Sequence, residues 1–294
     1  MKRRIRNLAL FLLILGAVFI LLGELSILLK KRSLSVWVTP LCWTGYIFLL
    51  DSLLFFWKGR SPLYENPKQF LWTFPLSTVF WLVFEAYNLL LNNWEYIGLP
   101  EQPWVRAFGY AWAFATILPA LIETNRLLEE LGVFKEVAIR PKPIPRWGFL
   151  FSFLLGFVLL AYPLFSRSAF DFPPVWLGFI FLLEPITYRY GGCSILKEME
   201  QGKMQRFFTL LLSGLWMGVL WEFWNFWAGT KWVYRVPYPT PFYIFEMPLT
   251  GFFGFLPFGI EFYCMHQATL LLADRLRRTG ARVCRQDRSV SRAI

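Results

Sequence analysis

Apolar stretches at about 8–29, 36–57, 70–91, 104–127, 148–166, 174–190, 207–228 and 242–272 are each long enough to cross a bilayer. A hydrocarbon core of about 30 Å needs roughly 20 residues of helix at 1.5 Å rise per residue. Backbone polar groups in hydrocarbon must be satisfied within the segment, so stretches of this kind are helices. Composition agrees, with 56% of the residues hydrophobic and only 17% charged, against about a quarter charged in soluble domains. The chain is expected to be an all-α integral membrane protein of about eight transmembrane helices. The N-terminus, Met1-Lys-Arg-Arg-Ile-Arg followed by Leu8 to Leu29, has the outline of a signal peptide. Its apolar run is long enough to span and no small-x-small site follows, so it is read as the first membrane helix.

The net charge of +11 does not point to nucleic acid, because the basic residues fall in short runs between apolar stretches and not as a stripe on a soluble domain. With eight spans, those runs sort by side. The N-terminus, Lys58/Arg60/Lys68, the segment from Arg126 to Arg146, Arg189/Lys197/Lys203/Arg206 and the tail from Arg275 to Arg292 fall together. The positive-inside rule makes that side cytoplasmic, with both termini on it, in the cell membrane. Lys30-Lys31-Arg32 runs against the rule, as do Arg167, Lys231 and Arg235 more weakly.

An internal repeat is the most informative pattern inside this frame. At an offset of 133, Pro40-x-x-Trp43-x-Gly45-x-Ile47-Phe48-Leu49-Leu50-Asp51 lies on Pro173-x-x-Trp176-x-Gly178-x-Ile180-Phe181-Leu182-Leu183-Glu184. Gly59-x-Ser61-x-Leu63 continues on Gly192-x-Ser194-x-Leu196, giving ten identities in 24 ungapped positions. Further on, Phe84-Glu85-x-x-Asn88 matches Trp221-Glu222-x-x-Asn225. Trp94-x-Tyr96 then matches Trp232-x-Tyr234, and Leu118-Pro119-x-x-Ile122-Glu123 matches Leu256-Pro257-x-x-Ile260-Glu261. Compositional bias aligns Leu and Phe; it does not align Glu, Asn, Trp-x-Tyr and Pro in order. The expected organisation is a four-helix repeat over 1–139, a Pro-rich linker over 140–147, a second repeat over 148–274 and a basic tail over 275–294. Four helices per unit insert both copies the same way up, related by a pseudo-two-fold axis along the membrane normal, with the site at their interface.

Carboxyl and amide groups inside spans are costly and by default face a bundle interior or cavity. Glu85 with Asn88, and Glu222 with Asn225, sit three residues apart on one helix face, so each carboxyl is expected to have an amide neighbour. Trp94, Tyr96, Trp232 and Tyr234 follow on the connecting loops. Glu246 is expected to begin the last span at similar depth, with Phe108 at its place in the first copy. Glu123 and Glu261 lie nearer the other side, with Asp51 and Glu184. An apolar aromatic surround favours the neutral form of a carboxyl, which suits acid/base work or proton carriage. The alternatives are interhelical hydrogen bonding for the Glu/Asn pairs, structural ion pairing for Asp51 and Glu184, and aromatic-belt anchoring for the Trp-x-Tyr motifs.

No metal or cofactor is expected. Cys42, Cys193, Cys264 and Cys284 have no CxxC spacing, and a lone His266 rules out histidine-rich di-iron chemistry. No P-loop, dinucleotide fingerprint or nucleophile elbow is present.

Trp221-Glu222, then Trp232-x-Tyr234, then Glu246-Met247-Pro248, in a duplicated aromatic membrane protein, resembles the membrane-embedded lycopene cyclase domains and related carotenoid hydratases. The likeness covers about 40 residues of each half. It departs from that pattern in lacking paired glutamates after the proline and in counting four spans per repeat. The resemblance implies redox-neutral chemistry on an isoprenoid. Glu222, Glu246 and Glu85 would be the acids and bases, and Trp232, Tyr234, Trp94 and Tyr96 the cation-stabilising wall.

Three functions remain open from the sequence: an enzyme acting on a membrane lipid or carotenoid-like isoprenoid by acid/base catalysis, a proton- or cation-coupled transporter or channel, and a non-catalytic membrane scaffold. For the first, the catalytic set is Glu222, Glu246, Glu85, Glu261 and Glu123, with Asn225, Asn88, Trp232, Tyr234, Trp94, Tyr96 and Trp221 binding the substrate.

Overall fold

A computed structural model describes residues 2–29, 32–236 and 242–276. The basic tail from 277 onward, and Lys30 and Lys31 of the exceptional basic run, lie outside the described residues. The helices are α1 (Lys2–Leu28), α2 (Arg32–Ser35), α3 (Val38–Lys58), α4 (Pro62–Glu65), α5 (Pro67–Leu91), α6 (Pro103–Ala115), α7 (Ile117–Glu130), α8 (Arg146–Ser166), α9 (Phe172–Arg189), α10 (Ile195–Glu200), α11 (Gln205–Trp227) and α12 (Phe252–Leu276). Strands β1 (Trp94–Ile97) and β2 (Lys231–Tyr234) form one ribbon, and β3 (Tyr243–Ile244) and β4 (Met247–Pro248) a second. Among the described residues, seven helices are long and apolar enough to cross a membrane by length and composition, with α6 and α7 counted as one. The fold is that of an all-α, multi-pass membrane protein.

One expectation about the spans is corrected, and the fourth span shows a break within it. The last one does not start at 242. Residues 242–248 turn back on themselves as β3 and β4, with Phe245 in the left-handed region at φ 58°, and α12 begins only at Phe252. Pro248 lacks the N–H that a helix would need there. α12 is also more polar than the other seven, carrying Glu261 and His266, and it packs against α9 and α11 inside the bundle. The fourth span is broken at Thr116, because Pro119 has no N–H to give the carbonyl of Ala115. Ser77 of α5 bridges the break, donating to the carbonyl of Phe114 and accepting from the N–H of Leu118 at 2.9 Å.

The outermost helices are held by small residues. A methyl group on Gly16 of α1 would stand 2.7 Å from the carbonyl oxygen of Gly45 on α3. Gly156 of α8 meets Gly178 and Leu182 of α9 in the same way. Close backbone approach of this kind substitutes for a hydrophobic drive that lipid does not supply. The remaining faces of α1 and α8, including Phe11, Leu21, Phe157 and Phe165, are exposed, as lipid-facing helices require.

The main core lies between α3, α5, α7, α9, α11 and α12, and is mostly aromatic. Phe84 stacks between Trp176 and Phe262 at 5.0 and 5.7 Å between ring centroids. Rings bury large area with few rotamers, so they rigidify the wall on which the site is built.

Candidate functional site

The site starts from the end of α5. Asn92 closes that helix in the left-handed conformation, φ 53°, and Asn88, one turn earlier, receives the departing chain. Its side-chain oxygen accepts from the N–H of Asn93 and of Trp94, at 2.9 and 3.0 Å, and its amide donates to the carbonyl of Trp94 at 2.9 Å. Asn225 of α11 does the same for Trp232, with both bonds at 2.9 Å. The amides therefore fix the start of each strand. They are not the carboxyl neighbours expected from the three-residue spacing, because main-chain groups leaving a helix end compete for them first.

Strands β1 and β2 then pair antiparallel, with Trp94 opposite Tyr234 and Tyr96 opposite Trp232. The register is self-complementary: each Trp-x-Tyr motif faces the other, reversed. Beneath the ribbon stand the two carboxyls. One oxygen of Glu85 accepts from the Tyr96 hydroxyl at 2.6 Å, from the Trp81 indole at 2.9 Å and from the Trp94 indole at 3.2 Å. One oxygen of Glu222 accepts from the Tyr234 hydroxyl at 2.6 Å and the Trp232 indole at 3.3 Å. Glu222 is fully buried and its second oxygen has no partner, whereas Glu85 is partly exposed. Burial and the adjacent carboxyl push both phenols, Tyr96 and Tyr234, well above the ordinary tyrosine range. Both therefore remain protonated and donate. The Trp-x-Tyr motifs are thus partners of the acids and not simple belt anchors.

The ribbon, α3, α6, α9, α11 and the start of α12 enclose a cavity of about 400 Å³, within the size range of small-molecule sites. Trp94, Tyr96, Trp232, Tyr234, Trp221 and Phe258 form much of its wall, with Trp43, Trp81 and Trp176. Trp81 and Trp221 lie 5.1 Å apart, and Trp221 and Trp232 5.6 Å, so the rings make a continuous aromatic surface. Glu85 and Glu222 do not line the cavity themselves. Each is instead hydrogen-bonded to a tyrosine that belongs to the wall.

The other acids are elsewhere. Glu246 stands in the turn between β3 and β4, ion-paired with Lys231, and does not begin a span. Arg235 is paired with Glu95, so two of the basic residues on the sparsely charged side are neutralised. Asp51 and Glu184 form no ion pair among the described residues; each accepts from a backbone N–H at the first turn of a short helix, Leu63 of α4 at 3.0 Å and Leu196 of α10 at 2.8 Å. Free N–H groups at helix starts favour such carboxyls over distant lysines. Glu123 and Glu261 are fully buried, and none of their oxygens has a hydrogen-bond partner among the described residues. Neither joins the Glu85/Glu222 cluster, and Glu123 lies beside Asp51 instead.

Four participants escaped the sequence reading. Trp43 and Trp176 were visible as an aligned pair in the repeat. Trp81 and Arg106 had no signal beyond being a ring and a lone cation near a span end. Among the described residues, no three His, Cys, Asp or Glu side chains converge as metal ligands. No family model matches the chain, and no curated protein or solved structure is significantly similar to it.

Proposed function

We propose that the chain is a membrane enzyme carrying out redox-neutral acid/base chemistry on an apolar lipid or isoprenoid held in the aromatic cavity. The observation that carries this reading is the pair of matched carboxyl–tyrosine dyads, Glu85–Tyr96 and Glu222–Tyr234, behind one cavity wall. A proton leaving a substrate carbon passes to the tyrosine oxygen while the tyrosine proton moves to the carboxylate; the reverse delivers one. Glu222, buried with a second oxygen free to carry hydrogen, serves as the acid through Tyr234. Glu85, with three donors on one oxygen, serves as the base through Tyr96. Protonation of a double bond at one dyad and proton loss beside the resulting cation at the other shifts or cyclises the substrate with atoms balanced. The ring faces stabilise the cation between the two steps. This is the chemistry that the resemblance to membrane lycopene cyclases implies.

The same reading includes two tandem repeats, 1–139 and 148–274, joined by the linker 140–147 and followed by the tail 275–294. They would be related by a pseudo-two-fold axis along the membrane normal, with eight spans and both termini cytoplasmic in the cell membrane. The self-complementary register of β1 and β2 supports the axis, as do the matching Asn88/Asn225, Gly45/Gly178 and Asp51/Glu184 contacts. A second reading, proton- or cation-coupled transport, is favoured only by the unpartnered carboxyls Glu123 and Glu261.

The test is mass spectrometry of lipids and pigments from cells expressing wild type, Glu222→Gln, Glu85→Gln and Glu246→Gln at matched protein levels. A species made by wild type, absent with either of the first two and present with the third is expected. Identical profiles in all four, with proton uptake by proteoliposomes that depends on Glu123 and Glu261, would replace the enzyme with the transporter.

A further inference from the structure

The cavity wall is not electrically uniform. It contains two cationic side chains, Arg106 of α6 and Lys231 of β2. Lys231 is neutralised by Glu246, and nearby Arg235 by Glu95. Arg106 has no ion-pair partner among the described residues. Arg106 is partly exposed, so its guanidinium is open to an anion that enters the cavity.

Position gives that anion a role. Arg106 lies one helical turn from Tyr110, which is close enough to both Arg106 and Glu85 to feel their charges. The Tyr110 ring meets the Tyr96 ring at 5.1 Å. A group bound at Arg106 is thus one ring away from the Glu85–Tyr96 dyad, with the rest of the cavity beyond it. Guanidinium binds phosphate and carboxylate through paired N–H donors, while the remaining wall offers Trp and Phe faces for a hydrocarbon.

We infer that the occupant is an anionic amphiphile: a phosphate or carboxylate head held by Arg106, its chain in the aromatic cavity and its reacting bond close to the head. This rests on the acid/base reading of the same cavity and narrows its substrate class from neutral hydrocarbons to head-bearing chains.

The experiment uses the full chain in phosphatidylcholine nanodiscs and reads tryptophan emission as ligand is added. The probes are geranyl phosphate, geraniol and inorganic phosphate, against wild type, Arg106→Gln and Arg106→Lys. Geranyl phosphate is expected to bind wild type at least about tenfold more tightly than geraniol, the size of one charge-assisted contact. Arg106→Gln should bind both equally while keeping the geraniol affinity of wild type, which shows that the cavity has folded; Arg106→Lys should retain part of the preference. Equal binding of the two probes by wild type, or a preference that survives in Arg106→Gln, overturns the inference. Displacement of geranyl phosphate by inorganic phosphate at equal concentration also overturns it, assigning Arg106 to a free anion. A Glu222-dependent product from a neutral substrate with no head preference would sink this inference and leave the enzyme standing. The head preference without any Glu222-dependent product would do the reverse.

Discussion

The two tiers of buried acid in this molecule use the same residue type in opposite ways. Beneath the ribbon, Glu85 and Glu222 are each held by a tyrosine and at least one tryptophan at the edge of a cavity. Away from it, Glu123 and Glu261 are fully buried, further from solvent than the partly exposed Glu85, and their oxygens meet no donor among the described residues. A carboxyl with fixed donors has one orientation and one defined path for its proton, whereas one without them is stable only in its neutral form. Burial alone therefore does not mark a working acid; a positioned donor that itself faces an open space does.

That contrast can be broken by experiment. The largest effect is expected at the ribbon tier, where Glu222→Gln should lower product formation about 100-fold or more, as loss of a general acid does, while Glu123→Gln stays within a few-fold of wild type; cellular product level normalised to protein reads both. An equal loss in Glu123→Gln would merge the tiers into one relay. Next comes Asn225→Ala, which strips partners from two main-chain groups of Trp232 and should cost about 2 kcal/mol in thermal unfolding of the purified protein. An unchanged midpoint would mean that the ribbon needs no help from α11. Smaller and opposite in sign, Glu261→Met should be neutral or stabilise by about 1 kcal/mol, because an apolar isostere removes an uncompensated buried polar group; clear destabilisation would reveal a partner for it. The smallest signal is an absence. Because burial and a neighbouring carboxyl both disfavour phenolate at Tyr96 and Tyr234, neither Tyr96→Phe nor Tyr234→Phe should remove absorbance at phenolate wavelengths up to about pH 11.

Much of the framework was legible because it rests on length and periodic burial. The apolar stretches became the helices, and Trp94-x-Tyr96 and Trp232-x-Tyr234 could be matched by eye. What they face was not legible: spacing says which residues share a helix face, not which competitor takes a hydrogen bond. Asn88 and Asn225 went to the main chain, and Asp51 and Glu184 to helix starts, because free peptide groups close at hand outbid side chains. Glu246 was misplaced for a related reason. Its segment reads as a long, largely apolar run, yet Pro248 and the turn at Phe245 fold it into a hairpin before α12 begins.

The pairing of β1 with β2 also dictates an order of assembly. Ribosomes deliver Trp94 well over a hundred residues before Tyr234, its strand partner. Until the second strand arrives, the first presents an unpaired edge, and it carries the same Trp-x-Tyr motif as its partner. Such an edge invites a second nascent chain to take the partner's place. Expressing residues 1–139 alone therefore tests whether the early half waits as a monomer or closes its ribbon with another copy of itself.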